Sequence, residues 1–245
     1  MDNALYVGLS RQITLRRELD IVANNIANAD TTGFKVESLM VQTNAKAPAM
    51  TDGGPKPVKF VLDSGVARDF SQGALRRTEA TFDLGIEGQG FFKISTVDGD
   101  RYTRDGRFRT DDTGKLTTQS GQAVLDEGGG EIVLDLQKGA VTIAHDGSVS
   151  QGNERVGKVG VVRFDDLTAL EKTGDNLFRN TSNQSAQAAP DALVHQGMLE
   201  GSNVQTIFEV TRMMEVTRAY ESMAKMMDSN AELSRRSVER MGRVQ

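Results

Sequence analysis

The 245-residue sequence contains no cysteine and no tryptophan, only three tyrosines, two histidines and four prolines. Without cysteine there is no disulfide scaffold, no thiolate metal site and no cysteine nucleophile. A chain with so few flat, polar-edged rings has no obvious platform for sugars, which argues against a polysaccharide-active enzyme whose carboxylates lie on a β-domain. No window approaches the eighteen or so consecutive apolar residues that a membrane-spanning helix requires, so no membrane insertion is expected. Nor does the segment Met1 to Arg17 contain the basic-then-apolar run of a cleaved signal peptide, and export by that route is not expected. With Lys and Arg at 29 against 34 Asp and Glu, the formal charge is −5. That balance opposes binding to a nucleic-acid backbone.

What the sequence does have is periodicity at both ends. Val210, Met213, Thr217, Tyr220, Ala224, Met227 and Ala231 follow one another in steps of three and four, and the rhythm continues to Met241. Such steps return to one side of an α-helix, and they predict a helix over 202–243 with a narrow seam that wants a partner helix. Ser202 and Gln205 have the spacing of a capping box. Six of the ten methionines fall in this stretch. Their unbranched side chains suit an interface that must repack against varied neighbours. Leu5, Leu15, Leu19, Val22 and Ile26 make a similar seam, predicting a helix over 3–27.

After that helix comes a stretch rich in asparagine, with Asn24, Asn25 and Asn28, followed by Thr32, Gly33 and Phe34. Asparagine amides compete for backbone hydrogen bonds and are poor in helix interiors, so they are expected to close the helix and fix a turn. Gly33 permits positive φ and Phe34 can anchor the exit. An ordinary helix C-cap is the bland alternative. Residues 42–59 hold three of the four prolines and read as an extended connection or an arm that docks on a neighbour. From about 58 to 179, turn signals recur every seven to eleven residues between short β-prone runs, a meander or sandwich spacing. Residues 182–190 are small and polar, a second connection.

The predicted divisions are therefore 1–41, 42–59, 60–181, 182–201 and 202–245. The predicted fold is α+β, with long N- and C-terminal helices pairing as a coiled-coil-like bundle and an all-β domain inserted between them.

Candidate chemistry is sparse, and no catalytic residue, metal ligand or cofactor is assigned. His145 and His195 lie fifty residues apart, and only the fold could make a pair of them. Asp98 and Asp100 open like a calcium loop, but Tyr102 and Thr103 stand where an oxygen ligand and a glycine are needed. Gly88-Gln89-Gly90 begins like a dinucleotide loop, but Lys93 replaces the third glycine and a strand follows instead of a helix. The chain is not expected to be an enzyme.

Three blocks carry a resemblance. Ala23-Asn24-Asn25-Ile26-Ala27-Asn28 with Thr32-Gly33-Phe34-Lys35 resembles the N-terminal signature of the bacterial flagellar rod and hook proteins. Glu87-Gly88-Gln89-Gly90-Phe91-Phe92 with Tyr102-Thr103-Arg104-Asp105-Gly106 resembles the central one. Gln196 to Val204, running into Met213-Met214 and Arg218-Ala219-Tyr220-Glu221, resembles the C-terminal one. Within the family, the start Met1-Asp2-Asn3-Ala4, the length and Leu199-Glu200-Gly201-Ser202-Asn203 are most similar to the proximal rod branch, with the distal rod as nearest competitor.

The resemblance implies a structural subunit of the periplasmic rod of the flagellar basal body, exported through the flagellum's own type III apparatus. Its implied partners are itself and other rod proteins, proximal and distal. The terminal helices would line the inner wall of a hollow shaft that transmits torque. From the residues alone, a homo-oligomeric coiled-coil scaffold or adhesion protein remains open beside this.

Overall fold

The structure, a computed structural model, describes residues 2–43, 61–135, 137–182 and 184–242. Two compact units emerge, and neither is a contiguous stretch of sequence.

The helical unit contains α1 (Asp2–Ala27), the antiparallel hairpin of β1 (Glu37–Thr43) and β2 (Val61–Arg68), and α2 (Thr206–Gly242). α1 and α2 run antiparallel, since Met227 lies over Gly8 at one end and Glu209 meets Asn25 at the other. β1 and β2 pack on α1 as well. Most of the segment expected to be an extended connection, residues 44–60, lies outside the described residues. Its flanks are the paired ends of this hairpin, with Thr43 opposite Val61.

This arrangement corrects the coiled-coil expectation. A coiled coil needs apolar knobs on both helices along one continuous seam. Here the buried positions of α1 mix the apolar Leu15, Ile21 and Val22 with Gly8, Thr14 and Asn25, so the apolar knobs do not form one unbroken seam. A Cβ on Gly8 would come within 3.2 Å of Met227 Cγ, so the helices approach through a missing side chain instead of interleaved ones. At the other end the contact is polar: Asn25 Nδ2 donates to Glu209 Oε2 at 3.0 Å. The Arg212 guanidinium meets Glu18 Oε1 at 2.7 Å. The hairpin takes the remaining side of α1, where Arg17 pairs with Asp63 at 2.7 Å. The α+β composition with a β-rich region between two helices stands; the coiled-coil pairing does not.

The start of α2 also differs from expectation. Ser202 Oγ accepts from Val204 N at 3.2 Å in a local turn, and Asn203 makes contacts outside any helix. The first helical carbonyl is that of Gln205, which accepts from Phe208 N and Glu209 N. The side chain that would have capped a helix at Ser202 is engaged two residues away, so the helix begins four residues later.

The β unit contains Asn28–Val36 and Asp69–Val204. Its short strands follow the expected turn spacing, beginning with β3 (Leu75–Arg77), β4 (Leu84–Glu87), β5 (Phe91–Thr96) and β6 (Gly99–Thr103). An antiparallel sheet of six strands runs in the order 170–174, 177–180, β6, β5, 161–163 and 187–188. One core cluster surrounds Leu84, Ile86, Phe92, Ile94, Leu116 and Val124; a smaller one holds Phe91, Tyr102, Leu170 and Phe178. β4 pairs with 193–196 and β3 with 198–200, so the returning chain closes on strands laid down more than a hundred residues earlier. These two pairings bring Glu200 into the interior.

Candidate functional site: a buried charge cluster joining three sequence blocks

Each block quoted above contributes one charged residue to a single point in the β unit. Lys35 comes from the N-terminal block, Arg104 from the central one and Glu200 from the C-terminal one. Their side chains are 1%, 4% and 0% exposed. The Lys35 ammonium donates to Glu200 Oε1 at 2.6 Å, and Arg104 Nη1 donates to Glu200 Oε2 at 2.9 Å. Gly73 N also donates to Oε1, at 2.9 Å. Three donors thus converge on the two oxygens of one buried carboxyl group, which offsets the cost of taking it out of water.

The cations are themselves tied to the backbone. Lys35 Nζ reaches Ser71 O at 2.6 Å, and Arg104 Nη2 reaches Gly88 O at 2.6 Å. Burial pulls the Lys35 ammonium below the usual lysine range, against the opposing pull of the Glu200 carboxylate. The same desolvation lowers Arg104. Two cations against one anion leave the cluster with an excess positive charge in a dry place, so its strength depends on keeping all three members.

Local backbone explains why these residues can meet. Gly33 has φ +68°, and a Cβ there would lie 2.5 Å from Asp105 N, so only glycine lets the turn close against the central block. Its N–H donates to Glu200 O at 2.8 Å. Gly73 is tighter still: an added Cβ would be 2.0 Å from Gly201 O. Phe34, 2% exposed, fills the space beside them, with Lys172 Nζ 4.4 Å from its ring centroid. Asn203 completes the joint by accepting from Val36 N at 2.8 Å and donating to Asp69 O at 2.9 Å.

The predicted turn residues divide between the units. In the helical unit Asn24 is exposed. Asn25 is buried there, donating to Glu37 O at 2.8 Å and accepting from Glu37 N at 3.0 Å, so it fastens the first residue of β1 instead of capping α1. In the β unit Thr31 N and Oγ1 both donate to Asn28, and Thr32 O accepts from Asn176 at 3.0 Å.

The predicted seams lie in the helical unit. Leu15 and Val22 are buried, Leu19 and Ile26 half-buried, and the side chain of Leu5 lies outside the described residues. On α2, Met213, Thr217, Tyr220, Ala224 and Met227 are half-buried, but Val210 and Ala231 are exposed. Among the described side chains of α2 the buried one is Val216, a position outside the expected seam. Apolar side chains remain in water on both helices, including Tyr6, Ile13, Ile207, Phe208 and Met214.

The fold does bring the two histidines together, with ring centroids 4.9 Å apart, and His195 Nε2 lies 2.6 Å from Glu87 Oε2. Among the described residues no group of three or more His, Asp or Glu is arranged to hold a metal.

The sequence blocks match known family profiles. The profile described as flagella basal body rod protein covers residues 5–35, the flagellar hook protein FlgE/F/G D1 domain covers 85–151, and the flagellar basal body rod FlgEFG protein C-terminal covers 195–240. Among curated relatives, the flagellar basal-body rod protein FlgF of Caulobacter vibrioides is 62% identical over 244 residues, covering all of both chains. FlgF of Mesorhizobium japonicum is 35% identical over 99% of each. The flagellar basal-body rod protein FlgG of Bacillus subtilis is 34% identical over 95% of this chain and 97% of its own. With that identity along its whole length, and with profile matches that take in Lys35 at one end and Glu200 at the other, this chain belongs to the flagellar basal-body rod protein family.

Proposed function

We propose that the chain serves as a structural subunit of the flagellar basal-body rod, joined to its neighbours through the helical unit while the β unit holds its own fold. The identity to rod proteins over the whole chain supplies the class of function, and the homologues are structural proteins. The observation that carries the mode of assembly is the apolar side of the helices left in water. Ile207 is 82% exposed and Phe208 69%, at the start of a helix of 37 residues. Side chains of that size gain roughly 1.5–3 kcal/mol each when covered, so a neighbouring subunit that covers several supplies the driving force for polymerisation.

In this reading copies of the chain and other rod proteins pack along α1 and α2 to form a hollow shaft that carries torque. Delivery by the flagellar type III apparatus fits a chain that is threaded before it folds. The test is a charge on the seam. Val210→Asp and Ala224→Asp are expected to abolish rod completion and swimming while the β unit of the purified full chain melts as in the parent. Normal swimming by both strains would refute assembly through α2.

A further inference from the structure

Among the described residues, the buried side-chain nitrogens and oxygens without a hydrogen-bond partner are Arg104 Nε and Arg163 Nε. Both arginines line the same cavity of about 370 Å³ in the β unit. Native proteins leave few such donors unpaired, because each costs about 1–3 kcal/mol. Both side chains stand in the wall of one cavity, which is the place from which an acceptor outside the fold can approach them.

The two guanidinium groups are differently placed. Arg104 is almost fully buried, and its Nη1 and Nη2 are engaged by Glu200, Ile86 O and Gly88 O, which leaves only Nε. Arg163 is 43% exposed, and Asp191, 4.0 Å away, is itself almost wholly in water. Such a pair neutralises little of the charge. Asp69 also borders the cavity, but its carboxylate accepts from Ser71 N at 2.8 Å and closes its own turn.

Ser71, Gln72 and Gln89 add polar edges to the lining, and one wall is apolar and aromatic. Phe91 stands edge-on to Phe70 and Phe164, at centroid distances of 5.5 and 5.9 Å, and Leu167 extends the same wall. Gly88 and Gly90 lie in the lining and present no side chain. Paired cationic donors beside a ring-lined wall select a carboxylate attached to an apolar body.

We infer that this cavity binds an acidic residue and its apolar neighbour from another protein chain, the carboxylate meeting Arg104 and Arg163 and the apolar side chain meeting Phe70, Phe91 and Phe164. The volume suits one or two side chains. The choice of a protein-borne carboxylate over a free one rests on the rod reading, in which other chains cover this one; the ligand chemistry does not.

Nuclear magnetic resonance on the isotope-labelled, purified full chain tests this, with three probes: Ac-Glu-Phe-amide, the neutral Ac-Gln-Phe-amide, and 3-phenylpropionate. The acidic dipeptide is expected to shift the arginine Nε–H signals and the Gly88 and Gly90 amides saturably, and the neutral one to bind at least about tenfold more weakly. Arg163→Gln should reduce the affinity for the acidic peptide by about tenfold or more without altering the dispersed spectrum of the fold. Phe164→Ala should weaken it independently.

Equal binding of the acidic and neutral peptides, no saturable shift, or unchanged affinity in Arg163→Gln would overturn the proposal. Binding of 3-phenylpropionate as tight as that of the acidic peptide would overturn the protein source. Because binding is read on the unassembled chain, failure of rod assembly in other experiments leaves this result unaffected.

Discussion

In the β unit Leu84, Phe92, Ile94 and Val124 are completely enclosed, whereas on α2 Ile207, Phe208 and Leu233 are more than half exposed. Both sets come from stretches with clear hydrophobic periodicity, so periodicity alone does not say whether a side chain finds its cover within the same chain. The difference follows from geometry. A sheet that folds back on itself covers both its own faces and its returning strands, while a helix of 37 residues outreaches a neighbour of 26. The β unit keeps its stability internal; the helical unit leaves part of its stability to be supplied from outside.

The largest test of that contrast is Glu200→Gln. The change preserves shape and leaves two buried cations without a counter-charge, so a loss of about 3–5 kcal/mol in the thermal or denaturant stability of the β unit is expected. Adding Lys35→Met to the same chain should recover part of that loss, since one uncompensated cation goes. A Glu200→Gln protein as stable as the parent would show that the cluster holds nothing together.

Gly33→Ala comes next. It forces a Cβ against Asp105 N at a positive φ, and a destabilisation of about 1–3 kcal/mol is expected in the same melting experiment. Amide exchange sharpens the boundary between the units. The Gly33 N–H, bonded to Glu200 O within the β unit, should exchange as slowly as the core strands, and the last turns of α2 should exchange fast. A fast Gly33 amide would move the boundary past residue 33.

At the small end, Phe208→Asp should change the stability of the isolated chain by no more than about 0.5 kcal/mol, because the ring is already in water. The same substitution should stop rod completion in cells. Arg212→Ala removes the half-exposed partner of Glu18, whose own side chain is 14% exposed, and is expected to cost about 1 kcal/mol.

Much of this was legible in the sequence. The helix over 3–27 and the turn-rich centre followed from spacing, and the three blocks pointed to the family. The β1–β2 hairpin did not show, because its strands flank a proline-rich stretch and pair across it; the break in pattern drew attention away from the alternation on either side. The coiled-coil expectation failed because the seam rests on the large apolar positions alone, whereas Gly8 sets the distance between the helices and Asn25, expected to close the helix, makes a polar contact across them. Nor was the charge cluster visible, since Lys35, Arg104 and Glu200 are far apart along the chain and each looks like a solvated charge in its own block. A partial signal was available: Lys35 follows Phe34 and Glu200 precedes Gly201, whereas Arg104 stands between Thr103 and Asp105 with no such neighbour.

The position of Glu200 has a consequence in time. A chain synthesised from its N-terminus holds Lys35 and Arg104 when most of its sequence has still to be added, and their one shared counter-ion comes only after about four-fifths of the residues. Until then the interior of the β unit would have to accept two unmatched cations, which opposes its closure. A chain that still lacks its return strand therefore lacks the residue that completes this cluster, and the joint can form only once that strand is present.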